Sequence, residues 1–330
     1  MPDKHRQPVR EQEETRTTPA PPPAELFDTL PDAGSRFTSI PSRSTLPSGT
    51  LVASQFRIDR MLGSGSTGQV YLAHDELLDR PVALKLLGEP SEGTVEWRSH
   101  LLNEARTMAR VRHENVVALY AVGEYRDWLY LVMEYVQGVD LHAWMEDRGP
   151  LCIAEAHGVI AQLSHGLQAI HDGGTVHRDV KPGNVLVGAR MHVALTDFGL
   201  ARWMDNSHTS GEHGVVGTPA YVAPEMILGN RPSPEMLNRV DIYSLGVVAF
   251  ELMTGHLPFE ATTPARVILD HIATPPPPVA RYRPDLPQSV GEAIAAAMDK
   301  DPVSRPSSAM EFLVWMERDL APDRLSRSTP

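Results

Sequence analysis

The sequence predicts an α+β chain of two lobes, a small β-rich lobe followed by a larger, mostly helical one. Three observations lead there. Apolar and polar residues alternate in short runs from Phe56 to Leu87. Beyond Gly138 apolar residues recur at helical spacing. Hydrophobic residues make up 42% of the 330 residues, enough for a sizeable core.

Along the chain, residues 1–52 are rich in Pro, Ser, Thr and charge, with no sustained period, and read as a disordered tail. The runs FRIDRML, QVYLAHD and PVALKLL read as three strands with turns between them. Residues 94–112 read as a helix, because Leu101, Leu102, Ala105, Met108 and Val111 recur at spacings of three and four. Strands fit 116–125 and 128–135. Helices fit 151–171, 240–254, 264–271, 287–298 and 308–318, with a short-strand region over 175–197. The expected division is a tail over 1–52, a small lobe over 53–138, a large lobe over 139–318 and a frayed end over 319–330. The prolines Pro275 to Pro278 mark a loop.

Composition excludes several classes. The net charge of −12 argues against a nucleic-acid partner; it fits an ordinary acidic surface, and it would also steer basic peptides. Cys152 stands alone, so neither an internal disulfide nor a zinc cluster is available. His113-Glu114 lacks a second histidine at 117, which rules out a zincin helix. No apolar run of about 18 residues occurs and no signal peptide opens the chain, so a cytoplasmic protein without a membrane span is expected.

The run LGSGSTGQVYLA carries Leu62, Gly63, Ser64, Gly65, Ser66 and Gly68 ahead of Val70. A dinucleotide fold needs a helix after such glycines, whereas Val70-Tyr71-Leu72 is β-type, so the element is strand-turn-strand. Glycines at a hairpin tip let backbone N–H groups approach phosphates. Taken alone, the run fits a phosphate cradle and an ordinary glycine-rich hairpin equally. VALK then ends a strand on Lys85, placed to reach phosphate oxygens. A partly buried ammonium needs a counter-charge, and Glu104, amid Leu101, Leu102 and Ala105, is the candidate. A strand-edge lysine and a solvated glutamate are the plainer readings of the two.

The most specific run is HRDVKPGNVLV from His177 to Val187, followed by Asp197-Phe198-Gly199. Phosphoryl transfer needs a carboxylate at the attacking hydroxyl and oxygen ligands for magnesium. Asp179 suits the first task, Asn184 and Asp197 the second, and Lys181 can stabilise charge on the moving group.

Together these motifs resemble the eukaryotic-type (Hanks-type) serine/threonine protein kinases from about Phe56 to Arg318. HRD, DFG, Ala223-Pro224-Glu225, Asp241 and Arg305 follow in the family's order, in the style of its bacterial members. The resemblance implies a bilobal protein-kinase-like fold using ATP with Mg2+, or Mn2+. In it Lys85 would pair with Glu104 and the α- and β-phosphates. Glu134 and Val136 would offer backbone groups to adenine, with Met133 behind and Val70, Ala83 and Leu186 around the ring. Met108, Leu119, His177 and Phe198 would stack as an internal spine on Asp241, and Glu225 would bridge to Arg305. Lys181 and GTPAYVAPE with Thr218 resemble the serine/threonine class, so the partners implied are protein substrates.

Arg178, Arg202 and His100 match positions that gather around an activation-segment phosphate in the family, which makes Ser210 and Thr209 candidate phosphosites. The usual site, four residues before Thr218, is Gly214 here. A kinase-domain dimer for trans-autophosphorylation is a further expectation. Thr17, Thr18, Ser42, Ser44 and Thr45 make the tail either a second phosphorylation region or an inert linker. Two rivals are a pseudokinase and a small-molecule phosphotransferase of similar fold. The presence of Asp179, Asp197 and Lys85 speaks against the first, and the complete GTPAYVAPE segment against the second.

Overall fold

A computed structural model describes residues 45–65, 68–87, 95–126, 128–148, 151–198, 219–230 and 232–320, without the side chains of residues 95–98 and 100. The tail over residues 1–44 lies outside the described residues.

The first lobe is a six-stranded antiparallel sheet. Its strands are β1 (Leu51–Val52), β2 (Phe56–Gly65), β3 (Gly68–Asp75), β4 (Arg80–Leu87), β5 (Leu119–Tyr125) and β6 (Trp128–Glu134), in the order β1-β2-β3-β4-β6-β5. Register sets Val70 opposite Lys85 and Leu72 opposite Ala83. It also sets Ala83 opposite Met133 and Lys85 opposite Leu131. Alternation along each strand then separates two faces. One face packs Tyr71, Ala73, Val82, Leu84, Leu86, Tyr130 and Val132 with Phe56 and Ile58 into a cluster of its own. The other carries Val70, Ala83, Lys85, Leu131 and Met133, and through Leu131 and Met133 it joins the core of the larger lobe. The sheet starts slightly earlier than the sequence suggests. Leu51 and Val52, placed in the tail above, pair with β2, and the Leu46 N–H donates to the Tyr71 hydroxyl at 2.9 Å.

Helix α1 (Val95–Met108) ends four residues short of the expected span. Tertiary hydrogen bonds pull the chain away from the helix axis there. The Asn115 N–H donates to His113 Nδ1 at 3.1 Å, and the Asn115 carboxamide donates to the Val193 carbonyl at 2.7 Å. Backbone bonds from Val117 N to Leu195 O (2.8 Å) and from Leu195 N to Asn115 O (2.9 Å) join the two lobes.

The second lobe holds a small antiparallel sheet, β7 (Val139–Asp140), β8 (Val185–Val187) and β9 (Val193–Leu195). Around it lie α2 (Leu141–Arg148), α3 (Ile153–Asp172), α4 (Pro224–Ile227), α5 (Asn238–Thr254), α6 (Pro264–Ala273), α7 (Gln288–Ala297) and α8 (Ala309–Glu317). Helix α2 was not expected, because LHAWMEDR shows little apolar periodicity; Asp140 starts it by accepting the Ala143 N–H at 2.9 Å. Cys152 caps α3. Its thiol accepts the Glu155 N–H while the Glu155 carboxylate takes the Cys152 N–H, a capping box with sulfur in place of a hydroxyl. Helix α5 is buried from Val240 to Phe250, mostly through apolar side chains, so it forms the axis of the lobe. Among the described residues, no helix is long and apolar enough to cross a membrane.

Glu225 and Arg305 meet as a buried bidentate pair at 2.7 and 2.8 Å. The guanidinium also donates to the carbonyls of Asp299 and Arg239. Replacing Glu225 with alanine leaves that cation buried without a counter-charge. The expected loss is about 3–5 kcal/mol of unfolding free energy, read as a lower midpoint in urea titration against the unaltered chain.

Candidate active site

The site begins with the hairpin of β2 and β3. Gly65 pairs with Gly68 at its tip; Ser66 lies outside the described residues. Gly68 has φ +138, and a Cβ there would fall 1.9 Å from the Leu86 carbonyl oxygen, so only glycine fits. Gly63 and Gly65 face open space instead, which leaves their backbone free for close approach by an anion.

Beneath the hairpin, the inner sheet face presents Val70, Ala83 and Met133, and Leu186 stands on β8. Strand β6 ends at Glu134, whose N–H donates to the Ala118 carbonyl at 2.9 Å. Tyr135 and Val136 then leave the ladder.

Lys85 is 1% exposed. Its ammonium pairs with Asp197 Oδ1 at 2.8 Å, and this departs from the expected partner, Glu104. Glu104 sits half-buried on α1. The physical demand read from the sequence, a counter-charge for a buried ammonium, is met, but by the carboxylate across the lobe junction. Asp197 adopts φ +62, a left-handed conformation that turns the chain after β9.

The catalytic-loop candidates cluster tightly. Asp179 Oδ2 accepts from Lys181 Nζ at 2.7 Å and from Asn184 Nδ2 at 2.7 Å. Asn184 Nδ2 also donates to the Asp179 carbonyl at 2.8 Å, which leaves the Asn184 side-chain oxygen for another partner. The Thr196 N–H donates to the Asn184 carbonyl at 3.0 Å, which brings Asp197 alongside. Asp179 remains 40% exposed, open to an incoming group.

What holds this loop is Asp241, wholly buried on α5. Its two oxygens accept the backbone N–H groups of His177 and Arg178, each at 2.7 Å, and His171 Nε2 lies 2.8 Å from Oδ2. Burial alone pushes the Asp241 carboxyl up; the hydrogen bond from His171 and that from the His177 backbone help to outweigh it and keep the group below the usual carboxylate range. Arg178 has φ +68, an unfavourable conformation for a long side chain, and the carboxylate stabilises it there. Burial pushes the His177 imidazole down, against the pull of three aspartates, so the ring is neutral. Its Nδ1 then accepts the Asp179 N–H at 3.3 Å, and its ring centroid lies 6.3 Å from that of Phe198. Met108, Leu119 and Phe198 are buried in one core.

His171 escaped the reading of the sequence. It lies six residues before His177 in the last turn of α3; a second histidine so close to HRD was the available signal. The GTPAYVAPE segment was also read without its supports. Tyr221 donates its hydroxyl to Glu251 at 2.7 Å, and Ser244 Oγ donates to the Tyr221 carbonyl at 2.7 Å. Thr209, Ser210, Arg202 and Thr218 lie outside the described residues, as does the His100 side chain.

This arrangement has known counterparts. A family model described as protein kinase domain matches residues 56–325. The chain belongs to the protein kinase family. It is 34% identical to the serine/threonine-protein kinase PrkC of Bacillus subtilis over 84% of this chain and 42% of that protein. It is 36% identical to the serine/threonine-protein kinase PknA of Mycobacterium tuberculosis over 80% of this chain and 61% of that protein. The kinase thus spans less than two thirds of either relative's length. The crystal structure of the Mycobacterium tuberculosis PknI kinase domain, C20A mutant, superimposes with a TM-score of 0.66 at 27% identity, over 84% of this chain and 100% of that one.

The clamp on the loop has a kinetic consequence. Asp241→Asn keeps the shape but turns an NH2 group toward backbone donors. The expected result is a roughly 10- to 100-fold fall in kcat, the scale of charge-assisted hydrogen bonds, with KM for ATP within about twofold because the sheet is untouched. Steady-state kinetics of both proteins checks it.

Proposed function

We propose that this chain is a serine/threonine protein kinase that transfers the γ-phosphoryl group of ATP to protein hydroxyls. The observation that carries the reading is a continuous line of contacts. It runs from Lys181 and Asp179 through Asn184 and Thr196 to Asp197 and Lys85. In this reading Asp179 accepts the proton of the attacking hydroxyl. Lys181, already on Asp179, stabilises charge on the moving phosphoryl group. Lys85 holds the α- and β-phosphates under the β2–β3 hairpin. Val70, Ala83 and Leu186 enclose adenine, Met133 lies behind it, and the backbone of Glu134 and Val136 reads its edge. With Asp197 as a metal ligand, Glu104 would serve as the counter-charge of Lys85.

The donor set fits magnesium. Asn184 and Asp197 would offer it two oxygen ligands, and Mg2+ takes few protein ligands beside phosphates and water. Among the described residues, no group of three or more His, Cys, Asp or Glu forms a dedicated metal cage. When bound, Mg2+ (or Mn2+) neutralises charge on the triphosphate; this chain's residues orient it and move the proton. The lone Cys152, a free thiol, supports a cytoplasmic setting. The acidic chain suits basic protein substrates rather than nucleic acid.

Incubation with radiolabelled ATP, Mg2+ and a basic protein should label serine or threonine at about 1–100 turnovers per second. Asp179→Asn and Lys85→Met should each abolish labelling, as should EDTA, with Mg2+ restoring the last. Labelling unchanged in both variants would contradict the assignment.

Regulation is proposed on the same site. Phosphate on Ser210 or Thr209 docks among Arg178, Arg202 and His100 and orders the loop, and it is placed there by a second copy in a kinase-domain dimer. Active protein mixed with the Asp179→Asn copy should phosphorylate that copy at Ser210 or Thr209, as read by mass spectrometry. Labelling elsewhere only, or none, would count against it.

A further inference from the structure

The hairpin assigned to the phosphates has little packing of its own to hold it still. Residues 62–65 are exposed, and Gly63 and Gly65 face open space. Strand β2 is bent by two register shifts, between Ile58 and Arg60 and between Met61 and Gly63. On its outer edge β2 pairs no further than Ile58; among the described residues the edge beyond has no strand partner.

A strap just before β1 reaches the hairpin by another route. In Pro47-Ser48-Gly49-Thr50 the Thr50 N–H (3.2 Å) and hydroxyl (2.7 Å) both donate to the Pro47 carbonyl. Gly49 takes φ +84 there, which a side chain would disfavour. The turn is pinned to β2 by bonds from Gly49 N to Ile58 O and from Ile58 N to Thr50 O, each at 2.8 Å. Ahead of it, Leu46 packs on the outer cluster of the sheet, the one that holds Tyr71.

There the Leu46 N–H donates to the Tyr71 hydroxyl at 2.9 Å. A backbone N–H only donates, so the phenol oxygen accepts from Leu46, and its own proton goes to Gln69 Oε1 at 2.7 Å. Tyr71 is fully buried, so its ring is a fixed post. Tyr71 and Gln69 are two apart on β3, and both side chains stand on the face away from Val70 and Lys85. Gln69 pairs with Ser64 across the hairpin and adjoins Gly68 at its tip. The bonds thus run from the strap, through the post, to the flank of the hairpin.

An anion cradle made of backbone N–H groups binds best when the backbone is held before the ligand arrives. We propose that Tyr71, with the strap over residues 46–52, is a positioning residue for the nucleotide phosphates: it braces the β2–β3 hairpin from its outer face. The inference rests on the reading of that hairpin as the phosphate cradle.

The test compares ATP with adenosine, which has no phosphate for the hairpin to hold, by calorimetric titration of the full chain with Mg2+. Tyr71→Phe, which removes only the hydroxyl, should weaken ATP about fivefold, the scale of one hydrogen bond, and leave adenosine within about twofold. Leu46→Pro removes the donor N–H at a position that Pro47 already holds extended. It should give the same split, and the double variant should be no weaker than the weaker single one. Unchanged ATP affinity in Tyr71→Phe overturns the inference. So does equal weakening of ATP and adenosine, which marks a general loosening of the sheet. If Tyr71→Phe does not fold, Gln69→Ala, which breaks the hairpin end of the same chain of bonds, is read by the same criteria. An unaltered chain that binds no ATP overturns the phosphate-cradle reading, and this inference with it. If the ATP-specific loss is seen but the unaltered chain phosphorylates no protein, the inference stands and the kinase reading alone is overturned.

Discussion

The site depends on one buried carboxylate. Asp241 sits in the first turn of a buried helix, without solvent, and turns both oxygens to the backbone of the loop that carries Asp179. Burying a charge is costly unless every lone pair is used. Here two amides and the His171 ring supply the bonds. The carboxylate in turn stabilises a left-handed Arg178 that a free loop would avoid. The loop is thus held from below, by the buried helix of the larger lobe, and Asp179 stays open above.

The same economy governs the cleft. The reactive side chains come from β4, from the loop over 177–184 and from the turn after β9, and each is fixed by a neighbour that is itself fixed. Asn184 is tied to Asp179 and to Thr196, and Asp197 follows β9, which pairs with residues 115–117 at the lobe junction. Lys85 comes from the sheet, on the face opposite its outer cluster. A buried ammonium and a carboxylate meeting at 2.8 Å across the junction add an ionic joint to the backbone bonds and the apolar packing between the lobes. Because it spans the two lobes, the Lys85–Asp197 pair depends on their arrangement.

Much of this was legible in the chain. Alternation in FRIDRML and PVALKLL marks strands because one face of each is buried, and the helical spacing in α3 and α5 to α8 follows from the same burial. Asp179, Asn184 and Asp197 could be grouped because phosphoryl transfer needs those oxygen donors. Some things could not be read. The end of α1 depends on Asn115 reaching the distant Val193 carbonyl, and no local pattern reports a tertiary bond. Helix α2 lacks an apolar stripe and exists because Asp140 caps it. That Asp197 pairs with Lys85 was not legible, because spacing says that a counter-charge is needed and not which carboxylates supply it. His171 looked like an ordinary helix residue; its role comes from Asp241, far away in sequence.

The central claim is that an ionised Asp241 locks the loop backbone from within the core. Residue-resolved amide hydrogen exchange tests it directly, since protection reports the opening of individual bonds. The account predicts that the His177 and Arg178 amides, though in a loop, exchange as slowly as the amides of α5 itself. Exchange of those two amides at the rate of exposed turns, with α5 still protected, would contradict it.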